Sequence, residues 1–138
     1  MAGEAATVTY LIAEPFQQAL RSLQMALTAR HLSVAGTFDI SAHLRRKLFI
    51  GTYPCMVLFV SPSRLPGTAL DTDGRAAALA PFHIVVSNRG RQTEIHVLRA
   101  LPRDCGSLEA PCIAALNEAH TEILRAIETI GMPAAMGV

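Results

Sequence analysis

The chain has 138 residues, of which 51% are hydrophobic and 17% charged, and its formal net charge is +1. This length predicts one domain (1–138) that can bury a core, and the composition excludes a disordered chain. The near-zero net charge gives no general attraction to nucleic acid or acidic membranes, and no apolar run reaches the roughly 20 residues of a membrane span. We therefore expect a cytoplasmic protein with no nucleic-acid partner and no membrane partner.

The chain opens with a predicted strand and helix. Thr7–Ile12 alternates apolar and polar residues, as a half-buried strand does. Pro15 suits a helix start, and the apolar residues after it recur at spacings of four, three and four up to Leu27. This pattern predicts an amphipathic helix that ends near Arg30.

A second strand and a short helix follow. His31–Ile40 predicts a strand that is bulged or bent at Gly36. Asp39 or Ser41 then caps a helix through Phe49, and the helical spacing turns Leu44 and Leu48 inward.

The middle of the chain predicts a buried strand and an irregular connection. Tyr53–Val60 is apolar on both faces, which is typical of a central strand covered on both sides. Ser61–Ala80 is punctuated by Pro and Gly, and Ala76–Ala80 within it fits a helical turn.

Pro81–Leu98 predicts a β-hairpin around the turn-forming residues Ser87 to Gly90. With Arg89 and Gly90 as the two loop residues, the strands sort apolar from polar side chains almost completely. This register places His83 directly opposite His96.

The last predicted element is a long helix from about Ser107 or Pro111 to Ile130, and Gly131 and Pro133 end it. The order of elements predicts an α+β fold. We expect a largely antiparallel β-sheet of about five strands, with two or three helices packed on one face.

The arrangement resembles the bacterial domain-of-unknown-function family 302. The resemblance rests on a strand and amphipathic helix (Val8–Leu27), an apolar strand ending in Pro (Tyr53–Pro62) and a Pro that starts a hairpin (Pro81–Val97). It covers a family-like core of about residues 7–101, with the C-terminal helix as an addition or variant, and implies a self-associating fold with no established reaction. Many members carry a Cys near positions that hold Val60 or Ser61 and Phe82 here, so thiol chemistry does not transfer.

His83 and His96 form the candidate metal site. Two imidazoles facing each other across a hairpin can share zinc or copper, with Glu94 or Cys55 as a further ligand. The competing interpretation is two histidines on the polar side of the hairpin or at a subunit interface, and the absence of a known ligand spacing favours it.

The second candidate site is the basic run Arg45, Arg46 and Lys47, with His43 nearby. Such a run can hold an anion: a phosphate, a carboxylate or a haem propionate. The competing interpretation, which we favour, is a solvated helix face. The three cysteines, Cys55, Cys105 and Cys112, lack a CxxC spacing and favour structural roles.

No catalytic constellation is evident in the sequence, and the cofactor is unknown. We therefore expect a non-catalytic homo-oligomer, a dimer first, that binds a small ligand or a partner protein. The alternative is a metal- or haem-dependent enzyme or sensor that uses His83 and His96.

Overall fold

The computed structural model describes residues 6–49, 51, 53–62, 82–100 and 110–134, and these form six strands and three helices. The irregular connection after Pro62, with its predicted helical turn at Ala76–Ala80, lies outside the described residues. In chain order the elements are β1 (Thr7–Ile12), α1 (Phe16–Ala29), β2 (Leu32–Asp39), α2 (Ile40–Leu48), β3 (Cys55–Pro62), β4 (Phe82–Arg89), β5 (Gln92–Leu98), α3 (Ala110–Glu128) and β6 (Met132–Pro133).

The strands form one sheet in the order β2-β3-β4-β5-β1-β6, and each neighbouring pair is antiparallel. The predicted α+β class and antiparallel sheet are confirmed. The sheet has one strand more than expected, because Met132 and Pro133 pair with β1 and the Ala134 N–H donates to the Thr9 carbonyl at 2.8 Å. Pro133 can sit here because β6 is an edge strand.

Helices α1 and α3 pack against one face of the sheet and enclose the core. The predicted helical stripe of α1 is buried, at Phe16, Leu20, Leu23 and Leu27. From α3, Leu116, Ile123 and Ile127 are buried, and from the sheet Leu58, Ile84 and Ile95 meet them. Because side chains alternate along a strand, burial of this set turns the intervening residues toward the opposite face.

Gly131 fixes the entry into β6. A Cβ at this position would lie 2.9 Å from the Leu11 carbonyl oxygen and 3.1 Å from Ile12 Cγ1. The helix itself ends at Glu128, and the Gly131 N–H donates to the Ile127 carbonyl. Gly131 therefore lies beyond the end of α3, and its lack of a side chain lets the backbone pass close to β1.

The predicted hairpin register is wrong by two residues. His96 lies opposite Val85, not His83, and Ser87 lies opposite Glu94. The two-residue turn is Gly90-Arg91, with Gly90 at φ 71°, a conformation that favours glycine at the first turn position. A two-residue shift leaves every side chain on its predicted face, so the sorting into apolar and polar faces is correct.

Both ends of α2 lie within one residue of the prediction, but Leu48 does not face inward. Asp39 caps the helix by accepting a hydrogen bond from the Ala42 N–H at 2.9 Å, and the Ser41 hydroxyl donates to the same oxygen. Leu48, which we expected to face inward, is exposed, because the helix ends there and Phe49 turns the chain into a left-handed conformation.

The predicted bulge in β2 lies between Val34 and Gly36.

Among the described residues, no helix combines the length and the hydropathy that crossing a bilayer requires.

Candidate functional site: the open face of the sheet

The face of the sheet opposite α1 and α3, here called the open face, exposes part of its apolar surface. Phe38 is 43% exposed and Phe59 is 36% exposed. The pairing places Phe38 opposite Val57 and Val57 opposite Val85, so these side chains form a continuous row across β2, β3 and β4. We call Phe38, Val57, Phe59 and Val85 the open-face cluster. The prediction that β3 is covered on both faces is therefore wrong within the described chain.

Beside the open-face cluster lies a polar network centred on His96. The Thr9 hydroxyl is 2.9 Å from His96 Nδ1, and Glu94 Oε2 is 3.1 Å from Nε2. Because a carboxylate only accepts hydrogen bonds, Nε2 is the donor in the contact with Glu94. Glu94 also forms an ion pair with Arg89.

This network does not match the arrangement of a serine hydrolase. Ser87 Oγ lies 3.4 Å from His96 Nε2, on the same nitrogen that faces Glu94. A Ser-His-acid triad needs the acid on one imidazole nitrogen and the nucleophile on the other. The geometry thus supports a structural polar network, in which both ring nitrogens of His96 have protein partners.

His83 and His96 lie on the same face, but not as a directly opposed pair. His83 is exposed and sits across from Phe59 of β3, while His96 is one diagonal position away on β5. Within the described ranges, no three His, Cys, Asp or Glu side chains come together as metal ligands would. The metal site at His83 and His96 stays a prediction, and zinc titration of the wild-type chain and of His83→Gln tests it.

Cys55 lies at one end of the open face, opposite Ser87. Its backbone N–H donates to the Ser41 hydroxyl at 3.3 Å. Burial, and secondarily the charge of Asp39, raise the pKa of the Cys55 thiol. A thiol held protonated is a poor nucleophile, so its surroundings favour the predicted structural role.

The basic run is exposed. Arg45, Arg46 and Lys47 occupy the last turn of α2, where cations interact favourably with the helix dipole. Consecutive positions on a helix point in different directions, and the anion site predicted there stays a prediction.

Two polar contacts, one at the open face and one in the core, could not be read from the local sequence patterns. Thr9 is 87 positions from His96, and nothing in the local pattern of either strand indicates that they meet. His120 is buried in α3, with Nε2 2.8 Å from the Leu98 carbonyl and its ring beside Phe82. His120 follows the buried Leu116 by four positions, so the helical spacing of apolar residues would have indicated its burial as well.

Comparison with known proteins gives a family and a fold. The profile of the family described as "Domain of unknown function DUF302" matches residues 8–130. The match includes α3, which lies outside the family-like core of about residues 7–101 that the resemblance covers. The structure is similar to the crystal structure of the uncharacterized conserved protein DUF302 from Bacillus stearothermophilus, with a TM-score of 0.77 and 12% sequence identity, covering 92% of this chain and 99% of that one. No curated protein matches the chain.

Proposed function

The chain belongs to the DUF302 family, and from its own geometry we propose that it is a non-catalytic module that self-associates through the open face of its sheet. The observation that carries the proposal is the row Phe38, Val57 and Val85, with Phe59 beside it. Helices α1 and α3 lie on the opposite face, and α2 contacts this face at one end, where the His43 ring centroid lies 5.3 Å from that of Phe38. Contiguous exposed apolar surface of this kind commonly marks an interaction site.

The charges of the open face favour a second copy of the chain as its partner. Among the described residues of β1 to β5, Glu94 is the acidic residue on the open face. It forms an ion pair with Arg89 of the same chain. A face that is neutral in itself meets no like-charge repulsion when it contacts an identical face across a two-fold axis.

The dimensions of the open face also suit a dimer. Five strands spaced about 4.8 Å apart, with about seven residues at about 3.3 Å each, give roughly 550 Å² of flat surface. This figure is of the same order as the roughly 800 Å² per partner of a standard interface.

A small ligand would bind between the two paired sheets. Gly36 lies opposite Phe59, and a Cβ at Gly36 would meet only the edge of that ring, at 4.0 Å. The absence of a side chain at this position leaves space beside an aromatic ring, which suits an apolar or planar ligand.

Light scattering of purified protein tests the proposal. We expect the wild type to have about twice the chain's 14.8 kDa, and Val85→Glu to have the mass of one chain. The control is Met25→Glu, since Met25 is 73% exposed on α1, away from the open face. Far-UV circular dichroism confirms that each variant is folded. A Val85→Glu variant that is folded and still dimeric would contradict the proposal.

A further inference from the structure

A second exposed surface lies at the end of α2 and shares no residue with the open-face cluster. Leu48 is 58% exposed, Phe49 is 91% exposed and Tyr53 is 76% exposed. The cations of the last helical turn immediately precede Leu48 and Phe49 in the chain, and Tyr53 follows Phe49 by four positions. We call this surface the α2 tip, and it consists of Arg45, Arg46, Lys47, Leu48, Phe49 and Tyr53.

Packing among the described residues does not account for the apolar side chains of the α2 tip, because these side chains are exposed. Leu44 is half-buried, and Leu48 follows it four positions later, so the inward face of α2 continues beyond the body of the protein. The helix dipole explains a cation in the last turn, but it does not explain three large exposed apolar side chains beside three cations.

The charge of the α2 tip is uniformly positive. Residues 40–54 include Arg45, Arg46 and Lys47 and contain no Asp or Glu. The sequence analysis expects no membrane partner because the net charge is only +1. That value is a sum over the whole chain and does not describe any one part of its surface. A peripheral contact depends instead on the charge and apolar area of one local surface.

We propose that the α2 tip binds the surface of a membrane that contains anionic lipids. The end of α2 meets the membrane, so that Leu48 and Phe49 enter the boundary between headgroups and acyl chains. The three cations point in different directions around the last turn, and in this end-on arrangement each of them reaches the headgroup phosphates at its own side of the helix. Tyr53 suits the same depth, since tyrosine has an apolar ring and a polar end. The contact is peripheral, and it does not depend on the self-association proposed above.

Two other partners fit the α2 tip less well. A single-stranded nucleic acid could stack bases on Phe49 and Tyr53, but it would offer nothing to the exposed Leu48. A second copy of the chain, docked tip to tip across a two-fold axis, would bring three cations against three cations. An anionic lipid surface offers negative headgroups to the three cations and an apolar environment to Leu48.

Co-sedimentation of the full chain with vesicles tests this proposal. The vesicles contain phosphatidylcholine alone, or equal parts of phosphatidylcholine and phosphatidylglycerol, in low salt and in high salt. We expect binding to the anionic vesicles in low salt, loss of that binding in high salt, and no binding to phosphatidylcholine alone.

Two variants separate the charges from the apolar residues. One carries Arg45→Gln, Arg46→Gln and Lys47→Gln, and the other carries Leu48→Gln and Phe49→Asn. Asparagine at position 49 tolerates the left-handed conformation that Phe49 adopts (φ 55°). Each should weaken binding to anionic vesicles by about tenfold or more, whereas Met25→Ser should bind like the wild type.

Both variants should retain the thermal stability and the light-scattering mass of the wild type. Failure of the wild type to sediment with anionic vesicles in low salt would overturn the proposal. So would sedimentation that survives both sets of substitutions, or retention of single-stranded DNA without retention of vesicles.

Discussion

Val57 and Val85 lie directly opposite each other on β3 and β4, and both project from the face opposite α1 and α3. The neighbours of Val85 along its strand, Ile84 and Val86, are completely buried under the helices. The same strand therefore supplies the core on one side and an apolar contact surface on the other. An apolar run of this kind is typical of a strand that is covered on both faces, and in a dimer the second cover comes from the partner.

The reactivity of the Cys55 thiol should report on the open face. Burial raises the pKa of this thiol, so at neutral pH it should react with iodoacetamide more slowly than a free cysteine. In the monomeric Val85→Glu variant we expect faster alkylation, because the face is then open to solvent. Mass spectrometry of the peptide that contains Cys55 measures the rate independently of Cys105 and Cys112. Equal rates in the two proteins would show that Cys55 is not covered by self-association.

Gly131→Ala should destabilise the fold. The added Cβ would meet the backbone carbonyl of Leu11 at 2.9 Å, and a backbone atom cannot move aside as a flexible side chain can. We expect a loss of about 1–3 kcal/mol in the free energy of unfolding, measured by urea denaturation. The matched control is Gly51→Ala, where nothing lies within 4 Å of the added carbon. If both variants unfold alike, β6 does not approach β1 as closely as described.

The Asp39 cap should contribute to stability in a pH-dependent way. Hydrogen bonds from the Ser41 hydroxyl and then the Ala42 N–H lower the pKa of the Asp39 carboxyl. The stabilisation is present above the unfolded carboxyl pKa of about 3.9 and is lost as pH falls through the lowered folded value.

Asp39→Ala should therefore cost about 1 kcal/mol at neutral pH, measured by thermal denaturation. Asp39→Asn is the control, because its side chain keeps a capping oxygen but does not titrate. A difference in stability between the wild type and the Asp39→Asn variant that stays constant from neutral to acidic pH would rule out the charged cap.

Much of the fold could be predicted because it depends on local patterns. The periodicity of Phe16, Leu20, Leu23 and Leu27 gives α1, and the alternation in Thr7–Ile12 gives β1. The cap at Asp39 follows from a residue type that prefers helix starts.

The hairpin register could not be derived from alternation alone. A shift of two residues keeps every side chain on the same face of the sheet. The register that pairs His83 with His96 and the register that pairs Val85 with His96 therefore separate apolar from polar side chains equally well. The choice depends on which residue adopts positive φ at the turn, and glycine fits either turn position. The metal hypothesis therefore relied on a pairing that the hydrophobic pattern does not specify.

The surroundings of His96 also lay beyond sequence reasoning. Its partners come from its own strand, from β4 and from Thr9 on β1, whose position beside β5 is a matter of sheet order. Likewise, the exposure of Leu48 depends on where α2 ends relative to the sheet, and helical periodicity alone carries no such information.

The most direct test of self-association is the mass of the wild-type chain in solution. Sedimentation equilibrium over a micromolar range of concentrations measures it without a label or a surface. The account predicts a mass near twice 14.8 kDa that falls toward one chain only on dilution. A mass of 14.8 kDa throughout the range would contradict it, and the open-face cluster would then have to serve a different partner.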